Sequence, residues 1–169
     1  MPTRPSPTLP AGPRLRMPAE WEPHAATWIA WPHFHGDWPG KFEPIPWVYA
    51  EIVRHLARHE RVEIIVNDAV SEKAARRVLK LAHAAGVNIG FHRWRTNRVW
   101  TRDSGCTFVL SDGQPRVPPP PSAKAAAIKW RFNAWAKYSN WRHDDKIGSL
   151  MAKSARVPEI QAKDAHRPL

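Results

Sequence analysis

The sequence RWRTNRVWTRDSGCTFVL, residues 93–110, places a polar turn rich in tryptophan and arginine directly before a run of β-branched and aromatic residues. The run predicts a buried strand. In the turn, Trp100 and Asp103 are three residues apart, so they offer one flat apolar ring and one carboxylate. A planar cation suits such a pair, because the ring can stack on the cation while the carboxylate accepts two of its N–H groups. The alternative, on chemistry alone, is that Asp103 caps or closes the turn.

Upstream of this stretch, the apolar pattern alternates between strand and helix. It predicts strand, helix, strand, helix and strand over residues 25–31, 47–56, 61–66, 71–85 and 87–91. Pro46 suits the start of the first helix, Asn67-Asp68 forms a turn or cap before the second, and Gly86 ends the second. This order predicts right-handed crossovers onto a largely parallel sheet. A dinucleotide site is excluded, because no glycine-rich turn follows the 61–66 strand.

Downstream, the fold signals become weaker. A hairpin-like turn at residues 111–114 leads into a Pro-rich, linker-like insert at 114–124, which is incompatible with a central strand. Residues 125–136 predict a strand and 147–155 a short helix. Beyond Pro158 the chain carries no fold signal, and residues 161–169 are a divergent polar tail. Residues 1–16 are Pro-rich and predicted to be disordered.

Length and composition limit the possible classes. A chain of 169 residues is long enough for one domain with a sizeable core. It has no apolar run of the ~20 residues that span a bilayer, and residues 1–13 lack the apolar core of a secretory signal. A single cysteine, Cys106, excludes an internal disulfide and fits a cytoplasmic location. His33 and His35 could share a metal, but without cysteine or carboxylate partners at ligand spacing we expect surface histidines and no metal site.

The net charge of +11 raises the question of nucleic acid. Residues 116–169 hold 11 Lys or Arg against four Asp or Glu, so most of the excess belongs to the Pro-rich and tail portion. A solvated basic tail accounts for this distribution. The alternative function is a basic, Trp-rich module for single-stranded nucleic acid, in which tryptophans beside arginines, as in Arg93-Trp94-Arg95, stack bases.

Four motifs resemble a known family. These are MPAEWEPH with TWIAWP and DWPG (residues 17–40), RVEIIVND (61–68), NRVWTRDSG (97–105) and WRFNAWAKY (130–138). Their order and spacing resemble the N-terminal half of the agmatine deiminase and bacterial peptidyl-arginine deiminase family, over residues 17–160. The resemblance implies a pentein-type α/β propeller, of which this chain would hold about two of five ββαβ units and the start of a third.

The chemistry implied by the resemblance is hydrolysis of a guanidinium group to a ureido group with release of ammonia, which would serve putrescine biosynthesis if the substrate is agmatine. Carboxylates and an aromatic wall hold the cation, a cysteine thiolate attacks it and a histidine moves protons. No metal or organic cofactor is required. By this resemblance Trp100 packs on the guanidinium, and Asp103 is the catalytic carboxylate that pairs with its nitrogens. Trp31 and Asp37 are candidates for the rim of the substrate funnel, with a core position as the alternative for Trp31.

The sequence also departs from the family pattern. The two glycine-rich segments that carry the catalytic histidine and cysteine have no counterpart, and Cys106 stands where the family usually has proline. Lys129 stands before Trp130, where members of the family tend to have an acidic residue. We therefore expect a truncated form, inactive alone, that holds half of a pocket for agmatine or an arginine side chain. A third hypothesis is association with another chain through exposed strand edges.

Overall fold

The computed structural model describes residues 15–111 and 125–162. The helices are α1 (Ile45–Leu56), α2 (Ala69–Leu81), α3 (Thr101–Ser104) and α4 (Ile147–Ser154). The strands are β1 (Leu15–Arg16), β2 (Ala26–Ala30), β3 (Arg61–Val66), β4 (Ile89–Arg93), β5 (Cys106–Ser111), β6 (Ala125–Lys129) and β7 (Glu159–Gln161). No helix in these described ranges is long and apolar enough to cross a bilayer.

The first sheet is parallel and has the order β2-β3-β4. Its central strand β3 pairs with both neighbours, with Ile64 opposite Ile29 on one side and Phe91 on the other. Val62, Ile64 and Val66 alternate toward the helices, where they form one core with Val53 of α1 and Leu79 of α2. The predicted strand–helix order and the parallel sheet are therefore confirmed.

Helix α2 begins as the sequence predicts but ends earlier. The Asp68 carboxylate accepts the Ser71 N–H at 2.7 Å, which satisfies a free donor of the first turn. At the other end, the helix stops at Leu81 and His83 adopts a left-handed conformation with φ of 53°. The N–H of Ala84 then reaches the carbonyl of Leu79 at 2.8 Å, which closes a Schellman motif. The prediction that Gly86 ends the helix was wrong.

The second sheet is mixed, with the order β1-β5-β6-β7. Strand β5 pairs antiparallel with β1 and β6, while β7 lies parallel to β6. The predicted 125–136 strand ends at Lys129, and α4 matches its prediction. Two short strands were not predicted. Leu15–Arg16 ends the segment that was predicted to be disordered, and Glu159–Gln161 lies where the sequence carries no fold signal, because backbone pairing leaves no sequence pattern in so short a segment. Residues 1–14, 112–124 and 163–169, including the Pro-rich insert, lie outside the described residues.

A second core joins the two sheets and positions the 93–110 stretch. Val99 packs with Ala30 and Ile65 of the parallel sheet and with Ile147 and Met151 of α4. All five are at most 4% exposed, so the chain segment before α3 is anchored from both sides. The structure confirms a mixed α/β fold. The finer prediction of propeller units remains a prediction.

Candidate functional site

The turn that carries Trp100 and Asp103 is the short helix α3, which lies against β2 and α4. Trp100 is the residue before α3, and its carbonyl accepts the N–H groups of Asp103 and Ser104, both at 3.1 Å. Gly105 follows with its Cα against the turn, where an added Cβ would lie 2.5 Å from the Thr101 carbonyl oxygen. Only glycine therefore allows β5 to start directly after α3. The structure thus holds Trp100 and Asp103 in a single turn.

Trp100 is 41% exposed, and its ring lies beside a second indole. Its centroid is 6.2 Å from that of Trp38, at an interplanar angle of 40°. Trp38 in turn contacts the rings of Phe42 and Tyr49. This aromatic group holds Trp100 from one side and leaves ring surface open to a ligand.

The Asp103 side chain is exposed, and within residues 15–111 and 125–162 its carboxylate has no hydrogen-bond or ion-pair partner. The neighbouring Arg102 differs, because its guanidinium pairs with Glu20. No backbone N–H reaches the Asp103 carboxylate in this part of the chain, so no contact supports the alternative that Asp103 closes the turn. The carboxylate is free to accept an external donor.

Asp37 and Trp31 occupy different surroundings. The Asp37 carboxylate accepts a hydrogen bond from the Arg98 guanidinium at 2.6 Å, with side-chain exposures of 7% and 8%. Trp31 is 5% exposed, belongs to the helix-side core and contacts Tyr49 edge-on at 6.2 Å. Both are thus buried behind the aromatic group, and neither ring contact nor ion pair joins them directly to Trp100 or Asp103.

Arg98 was missed by the sequence reasoning. Its guanidinium carbon lies 3.9 Å from the ring centroid of Phe34 and 4.5 Å from that of Tyr138. The same group donates to Asp37, so an aromatic–carboxylate box already holds one guanidinium inside this chain. No local pattern signals this, because the participating residues lie in three separate segments.

Asp144 was also missed. It is 2% exposed and accepts the N–H groups of Asn97 at 2.6 Å and Arg98 at 3.3 Å. Burial raises the pKa of this carboxyl, while the two N–H groups counteract the rise. The Asn97 side chain accepts the His143 N–H at 2.9 Å. This hydrogen bond links the segment before α3 to the loop before α4. The Asp144-Asp145 pair ahead of the helix was the available sequence signal.

Cys106 is a poor nucleophile in this environment. Burial raises the pKa of its thiol to about 11, and the charge of Glu159 acts in the same direction. With so high a pKa the thiol stays protonated at pH 7, whereas the thiolate is the reactive form. A thiol of this kind is suited to packing rather than to attack on a substrate.

The histidines near the turn have structural contacts. His33 shares a hydrogen bond of 3.2 Å between its Nδ1 and the Trp31 carbonyl, and His35 stacks on Phe42 with centroids 3.9 Å apart. Within the described ranges, no group of three or more His, Cys, Asp or Glu side chains is arranged to hold a metal ion.

Comparison with known proteins defines the class. The profile of the Porphyromonas-type peptidyl-arginine deiminases matches residues 16–166, and the chain belongs to this family. The resemblance seen in the four sequence motifs is therefore confirmed.

Particular relatives are agmatine deiminases. The chain is 28% identical to agmatine deiminase of Pseudomonas aeruginosa over 155 residues, which cover 89% of this chain and 38% of that protein. For agmatine deiminase of Pseudomonas syringae pv. tomato the identity is 30%, with coverage of 89% and 39%. The chain thus spans less than half the length of these relatives. They do not favour the alternative of a nucleic-acid-binding module.

Solved structures agree on the fold. Agmatine deiminase of Enterococcus faecalis superposes with a TM-score of 0.70 at 23% identity, covering 86% of this chain and 37% of that one. Agmatine deiminase of C. jejuni with substrate bound gives a TM-score of 0.68 at 19% identity, with coverage of 92% and 42%. At these identities the agreement concerns architecture alone.

Proposed function

We propose that this chain provides the cation-holding part of a guanidinium hydrolase, with Trp100 stacking on the guanidinium and Asp103 accepting its N–H groups. The observation that carries the proposal is the exposed Asp103 carboxylate, which has no partner among the described residues and lies in the same turn as the partly exposed Trp100. Agmatine or a peptidyl-arginine side chain is the substrate class, and the reaction converts the guanidinium to a ureido group and releases ammonia. If agmatine is the substrate, the product lies on a route to putrescine.

The chemistry of this pairing has a precedent within the chain itself. Arg98 is held by one carboxylate and two ring faces, which are the groups that Asp103 and Trp100 offer to solvent. A guanidinium is planar and weakly hydrated, so a ring face and a carboxylate together can replace its water. In this proposal Asp37 and Trp31 act from behind the rim, since Trp31 packs edge-on against Tyr49 and Asp37 holds Arg98.

Binding and hydrolysis are separate in this proposal. The chain carries no counterpart of the glycine-rich histidine and cysteine segments that the family resemblance requires, and the high pKa of the Cys106 thiol makes it an unsuitable substitute. The 169-residue chain alone is therefore expected to bind a guanidinium without releasing ammonia. The free thiol suits a reducing compartment, and we include a cytoplasmic location in the proposal.

The test is titration of the purified chain with agmatine and with an acetylated arginine amide, followed by amide NMR shifts and calorimetry. Asp103→Asn should weaken binding at least about tenfold, since a charge-assisted hydrogen bond contributes about 1.5–3 kcal/mol. Trp100→Ala should weaken it at least about twofold, since a cation–π contact contributes about 0.5–1 kcal/mol or more. The matched controls are Glu43→Gln and Trp21→Ala, because both residues are exposed and neither belongs to the turn. Equal weakening by the controls would contradict the proposed site.

Ammonia release is measured in the same samples. No release is expected from the wild-type chain, and Cys106→Ser should bind agmatine as the wild type does. Turnover that disappears in Cys106→Ser would show that Cys106 is the nucleophile and would overturn the separation of binding from hydrolysis.

A further inference from the structure

A cavity lies beside α4, where β6 ends, and three of the four charged residues in its lining are basic. Its volume is about 390 Å³, within the range of roughly 300–1,000 Å³ that is usual for small-molecule sites. It is lined by Lys129, Arg131, Asp145, Lys146, Ser149, Leu150 and Gln161. None of these residues belongs to the Trp100–Asp103 turn.

Lys129 forms the buried wall of this cavity. Its residue is 5% exposed, and its ammonium donates to the Asp145 carboxylate at 2.9 Å and to the Trp130 carbonyl. An ammonium has three N–H donors, and the third has no partner among the described residues. Gly148 makes room for the Lys129 stem, because a Cβ at that position would lie 2.7 Å from the lysine Cδ.

Two further cations line the mouth of the cavity. Arg131 and Lys146 are exposed, and the side chains of both lack an ion-pair or hydrogen-bond partner in the described part of the chain. The single carboxylate of the lining, Asp145, is already engaged, since its Oδ1 accepts from Lys129 and from the Phe132 N–H at 3.0 Å. The lining thus holds three cationic side chains and one carboxylate that already accepts two hydrogen bonds, so the cavity has an excess of positive charge.

From this arrangement we propose that the cavity binds a small organic oxyanion, of the phosphomonoester or polycarboxylate class. The Arg131 fork and the Lys146 ammonium bind the charged group, and the Ser149 hydroxyl and the free N–H of Lys129 bind it from within. Leu150 gives the organic part of the ligand an apolar contact. The Gln161 amide donates to the Lys129 carbonyl at 3.1 Å and so fixes β7 as the remaining wall.

The experiment is calorimetry with the full 169-residue chain at constant ionic strength of about 0.15 M, where surface charges further apart than about 8 Å are screened. The probes are inorganic phosphate, ribose 5-phosphate and citrate, with chloride as the background. Saturable one-to-one binding is expected for at least one of the two organic anions, and the comparison of ribose 5-phosphate with citrate identifies the class. Inorganic phosphate should bind more weakly, because it makes no contact with Leu150.

The variants assign the binding to the cavity. Arg131→Gln and Lys146→Gln should each weaken binding about tenfold, which corresponds to about 1.4 kcal/mol. The matched controls are Arg58→Gln and Lys73→Gln, which remove exposed cations elsewhere and should change affinity less than about twofold. Lys129 is left intact, because its removal would strand the Asp145 carboxylate. Absence of saturable binding for all three anions, or equal weakening by the controls, would overturn the proposal.

Discussion

The Arg98 guanidinium and the Asp37 carboxylate form a buried ion pair across 61 residues of sequence, with 2.6 Å between Nη1 and Oδ1. The pair connects the loop that carries Trp38 to the segment that leads into Trp100. Because Trp38 packs on Trp100, the pair fixes the aromatic side of the proposed guanidinium site from behind.

Removal of one partner of this pair should be strongly destabilising. Asp37→Ala leaves the Arg98 charge buried without its carboxylate, and we expect a loss of about 3–5 kcal/mol in the free energy of unfolding, measured by urea denaturation. The control is Arg102→Gln, which breaks the exposed pair with Glu20 and should cost less than about 1 kcal/mol. A loss of similar small size in both variants would show that the buried pair contributes little.

The sequence predicts best what is decided locally. The Asp68 cap and the alternation of β3 depend on residues within a few positions of each other, and the structure shows both. It also shows that Trp100 and Asp103 share one turn, while their joint role stays a prediction. The Arg98–Asp37 pair and the Asp144 contacts join distant segments. No periodicity encodes which segments these contacts join, so the partners could not be predicted from one sequence, although the position of Asp144 ahead of α4 was visible.

The same distinction explains the errors. Strands β1 and β7 are short and exposed, and they exist because β5 and β6 offer free edges to pair with. At the end of α2, glycine at position 86 was the conventional stop signal. The chain instead turns at His83, because the Leu79 and Lys80 carbonyls find their donors there and Ala84 becomes buried.

Two helix ends should become more stable with glycine. His83 after α2 and Arg156 after α4 have φ of 53° and 55°, and each lies at the left-handed position of a Schellman motif. A side chain is strained there, so His83→Gly and Arg156→Gly should each raise the free energy of unfolding by about 0.5–1 kcal/mol, measured by denaturant unfolding. The control Ala82→Gly, at φ of −83°, should lower it. Destabilisation by all three would mean that the side chains make contacts that outweigh the strain.

Cys106 should react slowly with alkylating reagents. Burial holds the pKa of its thiol at about 11, so at pH 7.5 its alkylation by iodoacetamide should be far slower than that of a free cysteine. The rate should increase as the pH is raised toward this pKa. The measurement is mass-spectrometric alkylation between pH 7 and pH 9.5, with the urea-unfolded chain as control. A folded chain that alkylates as fast as the unfolded one at pH 7.5 would contradict both the high pKa and the structural role of the thiol.

Glu63 should make stability depend on pH. Burial opposes its ionisation, but hydrogen bonds from Arg61 and His92 outweigh that effect and lower the pKa of its carboxyl in the folded chain. Because the pKa of Glu63 is lower in the folded chain, the unfolded chain binds the proton more readily. The ionised carboxylate therefore contributes its full stabilisation above the pKa of the unfolded chain, near 4.5. This stabilisation is lost as the pH falls through the pKa of the folded chain. Glu63→Gln should therefore destabilise the chain at pH 7 and flatten the fall in unfolding free energy between pH 5 and pH 3, measured by urea denaturation at each pH. The control is Glu43→Gln, which removes an exposed carboxylate and should leave the fall in unfolding free energy between pH 5 and pH 3 unchanged. If that fall is equally steep in Glu63→Gln, the pH dependence belongs to other carboxyls.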